Sequence, residues 1–336
     1  MKKFLFITML FFPAFIFAQD IHFTQYPNTP LYLNPANAGM FQGTNRFGAS
    51  HRMQWRSVST PYVTFSAFSD MRVHAFKYRR PVLGVGIIFN RDQAGDSEFG
   101  TTQAGLNSSL IIPVGNSSSK ILSLGAGLFF NQRSLTYDKL TFDNQYNGYT
   151  YDPSMPNGET FIKDKLTFLD FSFGASMKIY QGGRKFNHFG LSVSHLNKPF
   201  QSLFDNKNIK LDRKLVLYEM TRFALGKNTE IDPSILLGFQ GTYREIVPGA
   251  TFRMIRNSTV ENFFALTASV FWRVGDAMIP SIGADYKLWT AALSYDVNLS
   301  GLKPASNLKG GYEITLLYKM NKIKAKREKS IPCPIM

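Results

Sequence analysis

The sequence predicts an all-β protein, a transmembrane antiparallel β-barrel of about 14 strands with a short N-terminal segment ahead of it. Three observations lead there. From about residue 45 to residue 320 the apolar residues recur at every second position, in runs separated by Gly, Asn, Ser, Asp and Pro, which is the period of a strand. The opposite side of these runs is mostly Gly, Ser, Thr and Asn, with charges concentrated in the connections, whereas a soluble sandwich carries long charged side chains on its solvent face. Finally, residues 1–18, MKKFLFITMLFFPAFIFA, read as a secretory signal peptide: two lysines, an apolar run from Phe4 to Phe17, and Ala18 ahead of Gln19-Asp20. That run is short of the ~20 residues a spanning helix needs, and no other apolar stretch reaches that length, so membrane crossing falls to strands.

The order along the chain is then a signal peptide (1–18), an N-terminal periplasmic or plug segment (19–44), the barrel (45–320) and a basic periplasmic tail (321–336). The second of these contains HFTQYPNTPLYLNPANAG, residues 22–39. It has too many breakers for a helix and poor alternation for a strand, yet Phe23, Tyr26, Leu31, Tyr32 and Leu33 need shelter. Pro27, Pro30 and Pro35 suit an extended chain that needs no ladder partners. Residues 20–40 are therefore expected to pack into or across the periplasmic mouth as a partial plug; the alternative is a flexible periplasmic arm ordered by a partner.

Strand starts are expected near Arg46, Tyr62, Val82, Glu98, Lys120, Lys165, Asn187, Arg213, Asp232, Gly249, Asn262, Met278, Thr290 and Lys309, an even number as bacterial barrels require. The clearest, LTFLDFSFGASMKIY, turns Leu169, Phe171, Phe173, Ala175, Met177 and Ile179 one way and Asp170, Ser172, Gly174, Ser176 and Lys178 the other. In YEITLLYK the outward row Tyr312, Ile314, Leu316 and Tyr318 has an aromatic at each end, as an interfacial girdle does. The longest connections, 136–164, 198–212 and 299–307, follow odd-numbered strands and share the extracellular side, which places KYRRP (77–81) and the tail in the periplasm.

The formal charge of +15 includes the run NKIKAKREKS at 321–330. A signal peptide and the lack of any nucleic-acid-binding module exclude nucleic acid as partner. Cys333, the single cysteine, rules out an intrachain disulfide. Gly84/Gly86 and Gly125/Gly127 lie within strand patterns with no helix behind them, and so read as lumen-facing strand glycines rather than a phosphate loop. His22, His51, His74, His188 and His195 show no metal-ligand spacing, no nucleophile motif is present, and the loop acids Asp138, Asp143, Asp152 and Glu159 do not match a calcium loop. No catalytic, cofactor or metal site is expected. The loop at 136–164 bears Tyr137, Phe142, Tyr146, Tyr149, Tyr151 and Phe161, a set suited to protein contact and equally to covering or entering the barrel mouth.

Two blocks resemble a known family. HFTQYPNTPLYLNPANAG supplies His22, Phe23, Gln25, Leu31, Asn34, Pro35 and Gly39; HRMQWRSVSTPYVTFSAFSD supplies Arg52, Gln54, Trp55, Pro61, Tyr62, Thr64 and Asp70. Together with the terminal strand GYEITLLYK and the Ile-Pro-Cys-Pro ending, they resemble the PorP/SprF family of the type IX secretion system in Bacteroidota. The resemblance implies a non-enzymatic outer-membrane barrel that supports export or surface attachment of adhesins carrying a C-terminal sorting domain. It also implies contact with periplasmic secretion components and outer-membrane lipid. The rival from another class is a passive porin or small-molecule transporter.

Overall fold

Fourteen antiparallel strands close on themselves, each paired with its neighbours in sequence, and β1 (Asn45–Gln54) seals against β14 (Lys309–Met320). Between them run β2 (Tyr62–Val73), β3 (Val82–Ala94), β4 (Phe99–Val114), β5 (Lys120–Ser134), β6 (Lys165–Tyr180) and β7 (Phe186–Ser194). The circuit continues through β8 (Lys214–Ala224), β9 (Thr229–Gln240), β10 (Tyr243–Asn257), β11 (Phe264–Arg273), β12 (Ala277–Tyr286) and β13 (Trp289–Asn298). This computed structural model describes residues 20–320 apart from 59, 74–80, 116–118, 160–161, 260–261 and 302. The signal peptide, most of the KYRRP turn, Phe161 and the tail with Cys333 lie outside the described residues.

The largest departures from the expected starts are β9, which begins at Thr229 rather than Asp232, and β10, which begins at Tyr243 rather than Gly249. Pro248-Gly249 reads as a breaker, but Pro248 pairs with Ile235 inside the ladder, where only its missing N–H is felt. Gly249 is there for space: a Cβ would lie 2.1 Å from the Phe271 ring.

Outward rows are apolar and exposed, among them Ile87, Leu106, Leu128, Val270, Ile282, Leu293 and Ile314. So much exposed apolar surface needs a bilayer as its solvent. Trp289 and Tyr318 sit near the strand ends with ring centroids 4.6 Å apart, part of an interfacial girdle. Long connections at 135–164, 195–213 and 299–308 share one end, and short ones at 181–185, 225–228 and 287–288 share the other. Bacterial barrels keep long loops outside, so β1 begins and β14 ends at the periplasmic rim.

The inward face corrects one expectation. Charges do not concentrate in the connections: Arg46–Asp70, Arg52–Asp296, Arg222–Asp232, Arg253–Asp285 and Arg273–Glu245 pair inside the barrel. A lumen tolerates ions when each is paired and hydrogen-bonded. The Gly/Ser/Thr/Asn majority on that face hid them.

Candidate functional site

Residues 20–44 run through the lumen and are tied to its wall at both ends. The segment leaves β1 at the periplasmic rim, climbs through the barrel and brings Asp20 to the loop-rich end, beside His195 and Lys214. This reaches much farther than the periplasmic mouth expected from sequence, because its anchors stand at both ends of the wall. The backbone also differs from the extended chain expected. It forms 3₁₀ turns at Tyr26–Asn28 and Pro35–Asn37 around α1 (Pro30–Leu33), each with a proline in its first positions. Proline there gives up only an N–H that has no helical partner, and its fixed φ starts the turn.

Irregular backbone inside a closed space must find hydrogen-bond partners. Wall side chains supply them: Asn107 Nδ2 donates to the Leu31 carbonyl (3.2 Å), Ser192 Oγ to Leu33 (2.8 Å), Ser123 Oγ to Ala36 (2.7 Å) and Ser109 Oγ to Ala38 (2.6 Å). Asn34 works in the other direction. Its Oδ1 accepts from the Ala36 N–H, capping the second 3₁₀ turn, while Nδ2 donates to the Ala175 and Leu191 carbonyls of β6 and β7. Such approach requires glycine in the wall. A Cβ at Gly174 would stand 2.0 Å from Asn34 Oδ1, at Gly125 2.3 Å from Ala36 N, and at Gly84 2.1 Å from the Ala38 carbonyl oxygen.

At the periplasmic end Asp70 of β2 receives Arg46 through two hydrogen bonds (2.9 and 2.8 Å) and the Gly39 N–H (2.7 Å). Gly39 turns there with φ +70°, a left-handed conformation that suits glycine. At the outer end Glu313 of β14 accepts the backbone N–H groups of Thr24 (2.7 Å) and Gln25 (3.1 Å). Arg52 of β1 donates to the His22 carbonyl (2.6 Å) and to Asp296 (2.6 Å), which also accepts from Thr24 Oγ1 (2.9 Å). Between the two ends, Tyr26 inserts among Val216, Leu236, Val247, Phe271 and Ile279, meets Phe271 edge-on and donates to Ser234 (2.9 Å).

The first described residue is held by charge. His195, in the connection after β7, bridges Asp170 (2.7 Å) and Asp20 (3.3 Å), and Lys214 adds a second cation 3.3 Å from Asp20. Burial opposes the His195 charge, but hydrogen bonds with Asp170 and then Asp20 lift its pKa to about 9. Burial likewise opposes ionisation of Asp20, yet the Lys214 charge and the His195 hydrogen bond hold its carboxyl below the usual range. The His195 contribution is thus complete below the ordinary value of 6.5 and lost as pH rises through about 9. That of Asp20 is present above its ordinary value and lost in acid. Amide exchange at 20–24, corrected for intrinsic rate, is expected to be slow at neutral pH and to accelerate as pH passes about 9; a pH-independent protection factor would contradict this.

Of the motif residues picked out in the sequence, His22, Phe23, Gln25, Leu31, Asn34, Pro35, Gly39, Arg52 and Asp70 meet in or around the lumen segment. Gln54 and Trp55 do not; Gln54 ends β1 at the outer rim, and Trp55 just beyond it takes φ +61° and donates its N–H to the Gly310 carbonyl. Sequence reasoning missed Arg46, Asp170, His195, Lys214, Asp296 and Glu313 as anchors. Inward parity on β1, β6, β13 and β14 was the available signal for four of them. In the long loop Tyr146 and Tyr151 form an antiparallel bridge, and Tyr146, Tyr149 and Tyr151 are exposed, Tyr149 at 94%. Tyr137 is tied to the Lys163 carbonyl, and Phe142 is half-buried. Among the described residues, no group of three or more His, Cys, Asp and Glu converges to hold a metal.

A family model described as type IX secretion system membrane protein PorP/SprF matches residues 16–318. No curated protein matches the chain. Among solved structures, the toluene transporter TbuX of Ralstonia pickettii is 10% identical, with 88% of this chain and 94% of that chain covered and a TM-score of 0.50. The toluene transporter TodX of Pseudomonas putida is 11% identical over the same shares, with a TM-score of 0.48. A FadL homologue of Pseudomonas aeruginosa is 10% identical over those shares, with a TM-score of 0.46. At 10% identity the likeness to TbuX is one of fold.

Proposed function

Because this chain belongs to the PorP/SprF family of type IX secretion system membrane proteins, we propose that it supports export or surface attachment of an adhesin-type cargo bearing a C-terminal sorting domain, without catalysing a reaction. The observation behind this reading is the division of labour between lumen and loops. The lumen is occupied along its length by residues 20–44, tied at both ends, while the outer rim presents the exposed rings of Tyr146, Tyr149 and Tyr151. Exposed tyrosines on a rigid scaffold are good anchors for a protein partner: large contact area with little side-chain entropy to lose. The motif residues His22, Phe23, Gln25, Leu31, Asn34, Pro35, Gly39, Arg52 and Asp70 serve to hold the segment, not to bind cargo. Periplasmic secretion components meet the opposite rim.

Deleting residues 138–160 should release one surface adhesin into the medium while the barrel still assembles in the outer membrane. An adhesin that stays attached in that strain would refute the loop's role. The transporter reading requires a continuous path, which a tied segment in the lumen disfavours.

A further inference from the structure

We propose that the ring of cations at the periplasmic mouth of the barrel is a binding site for an acidic polypeptide segment, an inference that does not rest on the adhesin reading. Inward positions near the periplasmic ends of the strands carry Arg46 on β1, Arg72 on β2, Lys178 on β6, Arg222 on β8, Arg253 on β10 and Lys319 on β14. Three of these are answered by acids: Arg46 by Asp70 (2.8 Å), Arg222 by Asp232 (2.6 Å) and Arg253 by Asp285 (3.1 Å). Arg72, Lys178 and Lys319 have no carboxylate within ion-pair distance among the described residues.

Aromatic faces hold some of this charge instead. Lys178 Nζ lies 4.2 Å from the centre of the Phe186 ring, and the Arg222 guanidinium lies 5.0 Å from the same ring. Arg46 and Arg72 share the Phe41 ring at 4.6 and 5.9 Å. A ring face stabilises a cation without neutralising it. Arg222, Lys319, Arg46 and Arg72 all act on Lys178 with like charge, while Glu230 adds a carboxylate 3.5 Å from Arg222 and 3.3 Å from Arg253 and Asp285 acts on Lys319, so the cations still outnumber the acids in this ring. Low-dielectric walls focus such a field toward the periplasmic end of the lumen.

The occupant must bring several negative charges to cations contributed by well-separated strands, which suits an extended chain of carboxylates better than one small anion. It is not this chain's own C-terminus: residues 321–330, which follow β14 at the same rim, are basic. The lumen segment is tied to Arg46 and Arg72 on the inner side of the ring, so the ligand comes and goes on the periplasmic side.

The test uses the full-length mature protein in detergent with a fluorescein-labelled peptide of alternating Asp and Gly. Binding is expected to weaken with added salt, to fall roughly tenfold or more in K178E/K319E, and to be largely retained in K178R/K319R and in a variant lacking residues 321–336. Unheated gel mobility checks that each variant is a closed barrel, and K178Q/K319Q, which keeps the side-chain length, replaces the reversal should it not assemble. The proposal is overturned by any of four results: equal binding of a Ser-Gly peptide, unchanged affinity in the folded lysine variants, loss of binding on removal of the tail, or competition by inorganic phosphate or phosphatidylglycerol vesicles as effective as that by unlabelled peptide.

Discussion

Glu313→Ala is expected to destabilise the folded barrel by about 3 kcal/mol or more, the scale seen when one partner of a buried charged network is removed. Glu313 is fully buried, and its two carboxylate oxygens receive the backbone N–H groups of Thr24 and Gln25 with Arg52 3.9 Å away. Alanine orphans two buried donors and leaves Arg52 with Asp296 as its remaining acid. Glu313→Gln keeps an acceptor for one N–H and should lose less. Thermal unfolding in detergent gives the ordering, and amide exchange at 22–26 should rise in the alanine variant while the β1–β14 ladder stays protected. Equal stability of wild type and Glu313→Ala would remove this residue from the anchor.

Gly125→Val should displace the lumen segment with little harm to the wall. Any Cβ at this position stands 2.3 Å from Ala36 N and 2.5 Å from Ala36 Cα, both backbone, so the segment rather than a flexible side chain must move. Valine is a good strand residue, and the β4–β5 and β5–β6 ladders can retain their registers. The expected signature is loss of protection at 31–38 in a barrel that still migrates as folded. Gly301→Ala is the matched control, since nothing lies within 4 Å of the added carbon and no left-handed backbone is involved. If protection at 31–38 survives in Gly125→Val, the close approach of segment and wall is wrong.

How much of this was legible in the sequence follows from where the physics is local. Period-two alternation is a property of neighbouring residues, so β6 and β14 were readable with their correct inward and outward faces. Phe271 is the large apolar residue on the β11 row shared with Ala265, Thr267, Ser269 and Arg273, and it receives the Tyr26 ring. Most residues of the family motif lie in or against residues 20–44. What sequence could not supply was depth. Asp70 and Glu313 stand 243 residues apart by their numbers and at opposite ends of the wall, and only the closed circuit shows that one short segment reaches both. The prolines misled for a related reason: their fixed φ suits an extended chain and the first position of a helical turn equally, and only the enclosing wall selects the turn. The glycines at 84, 125 and 174 were recognised as small lumen positions, but the backbone they make room for lies far away in sequence.

Single-channel recording in planar bilayers addresses the closed lumen most directly. Wild-type protein is expected to insert without a steady open pore, and a variant lacking residues 20–40 to show a large persistent conductance. A wild-type protein that conducts steadily, at a level unchanged by that deletion, would contradict the account of a lumen occupied and tied by its own N-terminal segment.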